Sequence, residues 1–188
     1  MAKYFEFEVW LRDIEPKIWR RFLLKSTATF QDLHRAIQDA GGWEDYHLFR
    51  FDAKRSFRDP VAEAQGADQY DDTSGPPARS VKLASYFQRP RKKCLYTYDY
   101  GDSWELDVQL IRTVQMEEPF KRRLLGGARA FPLEDSGGSF GYYDCLAALG
   151  LIEAGHCSPE MLQEKREWLG DWHPEAFDLE QAKRAFDE

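Results

Sequence analysis

The segment from Ser103 to Val114 alternates between apolar and polar residues with a period of two. The apolar positions are Trp104, Leu106, Val108 and Leu110, and the positions between them are Glu105, Asp107 and Gln109. Successive side chains of a β-strand point to opposite faces of a sheet. The pattern therefore predicts a strand with one face toward a core and one toward solvent, which requires a sheet-containing fold.

A partner strand is predicted directly before it, from Cys94 to Tyr100. Gly101 and Asp102 stand between the two strands, and we expect them to form the hairpin corner with positive backbone φ angles. Residues 96–108 gather three tyrosines, one tryptophan and four carboxylates. This hairpin is therefore expected to present an acidic, aromatic surface.

The first 51 residues predict the order strand, strand, helix, strand. Tyr4–Leu11 and Ile18–Leu24 have strand patterns, and the short connection between them favours an antiparallel hairpin. Hydroxyl residues precede a helical spacing of apolar residues over Thr29–Ala40. His47–Phe51 follows as a third strand. This order is typical of a β-grasp-like core.

The rest of the sequence predicts loops and helices. Residues 52–82 are rich in Asp, Ala, Ser, Gly and Pro, which predicts a long surface excursion with room for a short strand. A helical turn is expected over Val81–Phe87, and helices over Tyr142–Ile152, Pro159–Leu169 and Pro174–Phe186. We therefore predict an α+β fold: a β-grasp-like, mixed or antiparallel sheet of about five strands, one packed helix and C-terminal helices.

Composition restricts the class of protein. The chain has 188 residues, 43% of them hydrophobic, and can bury a core. Its formal charge of -7 argues against nonspecific coating of nucleic acid, which depends on Lys and Arg. No secretory signal is visible, and no apolar run approaches the about 20 residues of a membrane span. Three cysteines without Cys-x-x-Cys spacing favour neither disulfides nor a zinc knuckle. We expect a cytoplasmic protein without membrane contact.

Three groups of uncommon residues follow one another in a fixed order. They are Pro16–Arg21 with Thr29–His34 and Gly42–Leu48, then Tyr98–Trp104, then Gly126–Arg129 with Pro132–Gly138 and Gly141–Tyr143. In this order they resemble the plasmid pRiA4b ORF-3-like family of bacteria and archaea, whose members are sometimes labelled passenger proteins of an insertion element. The resemblance implies an α+β domain and a link to mobile elements, and it implies no established activity. On this basis we predict a domain over residues 1–150 and a helical extension over residues 151–188 packed on it.

Carboxylates of the hairpin and of a later loop form the strongest candidate site. The oxygen ligands that hard cations prefer are carried by Asp99, Asp102, Glu105, Asp107, Glu134 and Asp135. Strand alternation separates the hairpin members, however, and a solvated sheet face with Asp102 in the turn is the simpler interpretation. We therefore predict no metal and no cofactor.

Two histidines lie near predicted core elements. His34 falls on the apolar stripe of its helix, and His47 opens a strand. A hydrogen-bonded core role is the simpler interpretation of both. The alternative for His47 is that it approaches the acidic hairpin, where a carboxylate would orient its ring.

Basic and glycine-rich segments are interpreted as structural. Arg20 and Arg21 are expected to point to opposite faces of their strand, so that one lies outward and the other pairs with an inner carboxylate such as Glu6 or Asp99. The runs Arg91–Lys93 and Lys121–Arg123 are expected to be solvated surface. The segment Gly137–Gly141 precedes a helix but matches no phosphate-binding motif, so a tight structural turn is favoured.

No nucleophile with its base stands at a recognisable spacing, whereas the Tyr, Trp and Arg residues that dominate interfaces are abundant. We therefore predict a non-catalytic recognition module for an unknown protein or small ligand. Its predicted binding surface consists of Trp43, His47, Tyr98, Asp99, Asp102, Glu105, Glu134, Asp135 and Tyr142. Two alternatives stay open: a metal-assisted hydrolase or phosphodiesterase built on the acidic hairpin and the Glu134–Asp135 loop, and a nucleic-acid-binding accessory protein.

Overall fold

The computed structural model describes residues 1–53, 60–64 and 75–187. Within these ranges the strands are β1 (Ala2–Leu11), β2 (Trp19–Lys25), β3 (Phe49–Asp52), β4 (Pro60–Glu63), β5 (Lys93–Tyr98), β6 (Trp104–Met116) and β7 (Arg122–Ala128). The helices are α1 (Phe30–Gly41), α2 (Leu83–Tyr86), α3 (Gly138–Ala148), α4 (Pro159–Leu169) and α5 (Leu179–Phe186). The strands form one open antiparallel sheet in the order β4-β3-β5-β6-β1-β2-β7.

The α+β class is confirmed, and its details are corrected. In the described ranges the sheet has seven strands rather than about five, and the β-grasp-like arrangement is not confirmed. β4 lies inside the predicted excursion of residues 52–82, of which residues 54–59 and 65–74 fall outside the described ranges. The other additional strand, β7, begins at Arg122, inside the run Lys121–Arg123 that was expected to be solvated surface.

The strand β7 lies at one edge of the sheet, where β2 is its only partner among the described strands. Its arginines cover aromatic rings instead of standing in solvent. The guanidinium of Arg122 lies 4.8 Å from the ring centroid of Phe186, and that of Arg123 lies 4.2 Å from Phe120. The aliphatic stems and cations of such residues add apolar contact and cation–π attraction.

The alternation in β6 is confirmed. Trp104, Leu106, Val108 and Leu110 are buried, and the residues between them are partly exposed. β6 lies in the middle of the sheet, between β5 and β1. The apolar face of the predicted hairpin therefore joins the main core, and its charged residues stay on the opposite face.

The helix α1 has the ends that its sequence predicts. The Thr29 hydroxyl accepts a hydrogen bond from the Asp32 backbone N–H, and the Asp32 carboxylate accepts one from the Thr29 N–H. This capping box satisfies two backbone donors at the start of the helix. At the other end Gly42 has a φ of 78°, a left-handed conformation that glycine adopts without strain.

The buried side chain of Arg20 stabilises the C-terminal end of α1. Its Nε donates to the Ala40 carbonyl at 2.8 Å, where the helix carries a partial negative charge. Its Nη1 donates to the carbonyls of Trp19 and Ala128. Arg20 is the inward arginine of the pair, but carbonyl oxygens and not Glu6 or Asp99 accept its hydrogen bonds. The Glu6 carboxylate lies 3.9 Å from Nη1 of the outward Arg21 instead. Burial lowers the pKa of Arg20 to about 9.

Of the three predicted C-terminal helices, α4 has the expected bounds, Pro159–Leu169, and the other two begin at other residues. α3 starts at Gly138 and not at Tyr142, while α5 starts at Leu179, after Asp178 caps it by accepting from two backbone N–H groups. α5 places Phe186 in the main core, with its ring centroid 5.6 Å from that of Phe22. Among the described residues, no helix combines the length and apolar character that crossing a membrane requires.

Candidate functional site

The turn between β5 and β6 forms one wall of the candidate site. Its positive φ angles fall at Asp99 (56°) and Ser103 (53°), and not at the expected Gly101 and Asp102. Asp99 tolerates this conformation because its own Oδ1 accepts a hydrogen bond from the Gly101 N–H at 2.9 Å, as in an Asx turn. Its second oxygen, Oδ2, remains available to groups outside the turn.

The pairing of β3 with β5 brings His47 beside Asp99. In this register Phe49 lies opposite Tyr98, and the Asp99 N–H donates to the Leu48 carbonyl at 3.0 Å. The His47 backbone N–H also lies 3.4 Å from the Tyr98 hydroxyl, to which it donates. His47 therefore approaches the hairpin because of sheet register, which short-range sequence patterns do not encode.

The loop of residues 132–137 is fastened to the same end of the sheet. Glu134 accepts hydrogen bonds from the Glu44 backbone N–H at 2.7 Å and from the Tyr98 hydroxyl. The Asp102 carboxylate accepts one from the Gly137 N–H at 2.9 Å. A Cβ on Gly138 would lie 2.3 Å from the Asp102 carbonyl oxygen, so this close approach requires glycine. These contacts hold Asp135 beside the hairpin.

Three side chains from three distant segments meet here, and we name them the acid–histidine cluster: His47, Asp99 and Asp135. The Nε2 atom of His47 lies 3.2 Å from Oδ1 of Asp135 and 3.7 Å from Oδ2 of Asp99. The side chains of His47, Asp99 and Asp135 are 26%, 11% and 60% exposed. Nε2 itself is shielded from solvent, yet it has no hydrogen-bond partner.

The second histidine of this region, His34, belongs to a closed hydrogen-bond network. Its Nε2 donates to the Asp45 carboxylate at 2.5 Å, and its Nδ1 pairs with the Tyr96 hydroxyl at 2.8 Å. Gln38 completes the ring by donating to the Tyr96 oxygen and accepting from the Asp45 N–H. Burial lowers the pKa of His34, while the neighbouring Asp45 opposes that shift. A neutral ring with its proton on Nε2 satisfies every partner.

Asp135 and Tyr46 also line a cleft of about 620 Å³, which we name the aromatic cleft. It lies among residues 41–46, 130–135 and 168–185. Aromatic rings make up much of its lining: Trp43, Tyr46, Phe131, Trp168, Trp172 and Phe177. Trp43 is fixed by a hydrogen bond from its Nε1 to the Pro132 carbonyl, and Trp172 by one to the Phe131 carbonyl. Tyr46 and Trp168 are 56% and 48% exposed.

The charges that line the aromatic cleft are mostly negative. Its acidic residues are Asp39, Glu44, Glu134, Asp135 and Asp178, and its one basic residue among the described lining is Arg20. The pKa of Tyr46 is raised, first by partial desolvation and then by the charges of Glu134 and Asp135. Both observations indicate a negative potential at the mouth of the cleft.

The structure brings together six of the nine residues of the predicted binding surface: Trp43, His47, Tyr98, Asp99, Glu134 and Asp135. Asp102 holds Gly137 through its carboxylate. Glu105 lies apart, with its carboxylate 3.6 Å from Arg12. Tyr142 is fully buried and packs against Trp172, so its ring does not contribute to an exposed surface.

Sequence reasoning did not assign Tyr46, Trp168 or Phe177 to the site. Tyr46 carried a signal, because it lies directly before His47 in one of the uncommon motifs. Trp168 and Phe177 belong to the C-terminal segment and reach the cleft only through the packing of that segment on the sheet. No local pattern distinguishes them from ordinary packing residues.

Comparison with known proteins identifies the family of this chain. The family model described as "Plasmid pRiA4b ORF-3-like protein" matches residues 3–181, almost the whole chain. The chain belongs to the plasmid pRiA4b ORF-3-like family. The match extends past residue 150, the end of the predicted domain, and includes most of the C-terminal segment that lines the cleft.

Two proteins from different organisms resemble this pRiA4b ORF-3-like protein. It is 32% identical over 192 residues to the uncharacterised protein y4hQ of Sinorhizobium fredii, covering all of this chain and 93% of that protein. It resembles the crystal structure of MM3350, a protein of unknown function from Methanosarcina mazei, with a TM-score of 0.79 and 33% identity, covering 96% of this chain and 98% of that one. The relatives support the fold and assign no biochemical activity.

Proposed function

We propose that this pRiA4b ORF-3-like protein is a non-catalytic recognition module that binds a lysine- or arginine-bearing segment of a partner protein in the aromatic cleft. The observation that carries the proposal is the combination of exposed aromatic rings with five acidic residues against one basic residue in the lining. Complementary charge favours a cationic partner and steers its approach.

The chemistry of the lining suits long cationic side chains. Tyr46 and Trp168 expose aromatic faces, on which an ammonium or guanidinium group gains cation–π attraction. Glu44 and Asp135 are exposed carboxylates at the same cleft and offer charge-assisted hydrogen bonds. A Lys or Arg side chain presents an apolar stem and a charged head, and so matches both kinds of surface.

Arg20 does not oppose such a ligand strongly. Its guanidinium hydrogen bonds go to backbone carbonyls, and its carbon Cζ lies 3.8 Å from the ring centroid of Phe177. The volume of about 620 Å³ falls within the about 300–1,000 Å³ typical of ligand sites. The cleft is therefore large enough for a few side chains of a peptide.

Fluorescence anisotropy with labelled octapeptides tests this proposal. We expect peptides of Gly and Ser that carry three Lys or Arg residues to bind, and matched peptides with Glu at those positions not to bind. Affinity should fall as salt rises, since salt screens exposed charges. The proposal fails if the two peptide sets bind equally or if neither binds.

Variants locate the binding surface. Trp168→Ala should weaken peptide binding by about tenfold or more, because exposed tryptophans often act as interface hot spots. Glu44→Gln should weaken it by a few-fold and reduce its salt dependence. Matched controls are Phe140→Ala and Glu118→Gln, which alter exposed residues outside the cleft and should leave binding unchanged. Equal losses in the control variants would refute the assignment to the cleft.

A further inference from the structure

The acid–histidine cluster has the donor spacing of a metal centre. One imidazole nitrogen and two carboxylate oxygens lie within 4.8 Å of one another. Donors about 2.0–2.2 Å from a tetrahedral ion are about 3.4 Å apart. The separations of His47 Nε2 from Asp135 and Asp99, 3.2 and 3.7 Å, lie on either side of that value.

Both carboxylates of the cluster are already oriented by the protein. Asp99 uses Oδ1 to accept from the Gly101 N–H, and its Oδ2 is the atom near His47. Asp135 uses Oδ2 to accept from the Tyr46 hydroxyl at 3.3 Å, and its Oδ1 is the atom near His47. Each carboxylate therefore holds one oxygen in an internal hydrogen bond and turns the other toward the same nitrogen. Such outer contacts orient metal ligands in proteins.

The imidazole nitrogen at the centre of this arrangement lacks an ordinary partner. Nε2 of His47 is shielded from solvent and makes no hydrogen bond. Asp99 lies beyond hydrogen-bonding distance, and Asp135, although close, lies off the direction that a ring N–H requires. A buried polar atom without a partner is costly. An ion between the nitrogen and the two oxygens would satisfy all three donors.

We propose that His47, Asp99 and Asp135 bind one divalent transition-metal ion, with Zn²⁺ as the best match to this donor set. Imidazole favours such ions over Mg²⁺ and Ca²⁺, and carboxylates complete the set. The 60% exposure of Asp135 leaves the ion open to solvent, so water takes the remaining position. Asp135 also lines the aromatic cleft, whereas His47 and Asp99 do not. The inference does not depend on peptide recognition, because variants of His47 and Asp99 test the metal site without changing a residue of the cleft.

A second group of residues in the described chain, Asp144, His156 and Cys157, also has donor atoms close enough to hold a metal ion. It is the alternative to the acid–histidine cluster as a metal site. Here the Cys157 thiol donates to Asp144 at 3.3 Å, so the contact already has an ordinary explanation. That hydrogen bond, followed by burial, raises the pKa of the Cys157 thiol, which disfavours the thiolate that binds metal. This group therefore provides a control and not a second proposal.

Isothermal titration calorimetry of the metal-free protein with ZnCl₂ tests the assignment. We expect one ion per chain, together with a rise in melting temperature, because a ligand that binds only the folded state stabilises it. His47→Ala and Asp99→Asn should each weaken Zn²⁺ binding by at least about 100-fold, more than the loss of an outer contact costs. Melting curves without metal establish that these variants are folded.

Matched variants separate the cluster from its alternatives. Glu44→Gln removes one nearby negative charge outside the cluster and should leave Zn²⁺ affinity within a few-fold. His156→Ala with Cys157→Ser removes the alternative site and should leave binding unchanged. Co²⁺ adds a spectroscopic readout, since a cysteine ligand gives an intense thiolate-to-metal band that the proposed site lacks. Absence of Zn²⁺ binding, retention of it in His47→Ala, or a thiolate band would each overturn the proposal. These outcomes are independent of whether basic peptides bind.

Discussion

The two histidines at this end of the sheet occupy opposite environments. His34 is fully buried, and both of its ring nitrogens have hydrogen-bond partners. His47 is partly exposed, and its Nε2 faces two carboxylates without forming a hydrogen bond. The sequence suggests a core role for both residues, and only the first has the saturated surroundings of a core residue.

The two histidines differ in whether their ring nitrogens have hydrogen-bond partners inside the protein. Around His34, every donor and acceptor of the hydrogen-bond network has a partner within the network. Such a fully satisfied buried network is rigid. Around His47, the hydrogen bonds orient the neighbours of the nitrogen and leave the nitrogen itself without a partner. The same residue type is therefore fully hydrogen-bonded in one place and has a ring nitrogen without a hydrogen-bond partner in the other.

The largest expected effect is on stability and separates the two histidines directly. His34→Ala should lower the free energy of unfolding by about 3 kcal/mol or more, since it leaves a cavity and buried groups without partners. His47→Ala in metal-free protein should cost about 1 kcal/mol or less, as expected for a partly exposed side chain. Urea unfolding curves measure both values. Equal losses would remove the distinction.

The tyrosine that contacts each histidine gives a second test of how the two environments differ in stability. Tyr96→Phe removes a buried hydroxyl that joins His34 and Gln38, and should cost about 2 kcal/mol. Tyr98→Phe removes the donor to Glu134, a carboxylate that retains access to water, and should cost about 1 kcal/mol. Denaturant titration of the two variants tests this order. A larger loss for Tyr98→Phe would contradict it.

The dependence of stability on pH should carry a signature of His34. Burial lowers its pKa in the folded protein, with Asp45 opposing, whereas the unfolded chain has the ordinary pKa of about 6.5. As pH falls through that value, the unfolded state binds a proton that the folded state excludes. Stability is therefore complete above the ordinary pKa and decreases on acidification, by up to about 1.4 kcal/mol per pH unit.

Unfolding curves of the wild type and His34→Gln, recorded between about pH 7.5 and about pH 5.5, measure this contribution. Subtracting the two slopes removes the titration of groups that the proteins share. The wild type should lose more stability over this range than the variant. The same slope in both would mean that His34 does not control the pH dependence.

The smallest expected effect on stability comes from Tyr46→Phe. The hydroxyl of this exposed residue only orients Asp135, so the unfolding midpoint should not change measurably. The affinity for Zn²⁺ should fall by about tenfold, the usual consequence of losing an outer contact to a ligand. Melting curves and calorimetric titration of the same preparation separate the two effects. A shifted midpoint with unchanged affinity would assign the hydroxyl to structure alone.

The sequence predicts elements whose cause is local. The alternation from Trp104 to Leu110 gives β6, and the capping residues around Thr29 give α1, because these signals lie within a few residues of the structure they determine. The edge strand β7 has no such local signal. Its arginines and glycines resemble a loop until Phe120 and Phe186 are in place beneath the arginines.

The candidate site depends on contacts that are distant in sequence. His47 reaches Asp99 through the register of β3 on β5, and Asp135 joins them through the hydrogen bonds that fasten its loop to the turn. The residue types alone identify these side chains as candidates. The alternation of side chains along the strand separates Glu105 from them. Convergence of residues 47, 99 and 135 on one nitrogen requires the tertiary structure.

Anomalous diffraction from crystals grown with ZnCl₂, recorded on both sides of the zinc absorption edge, is the most direct test of the acid–histidine cluster. The account predicts one peak about 2.0–2.2 Å from His47 Nε2 and from one oxygen each of Asp99 and Asp135. A peak only at Asp144, His156 and Cys157, or no peak beside His47, would contradict it.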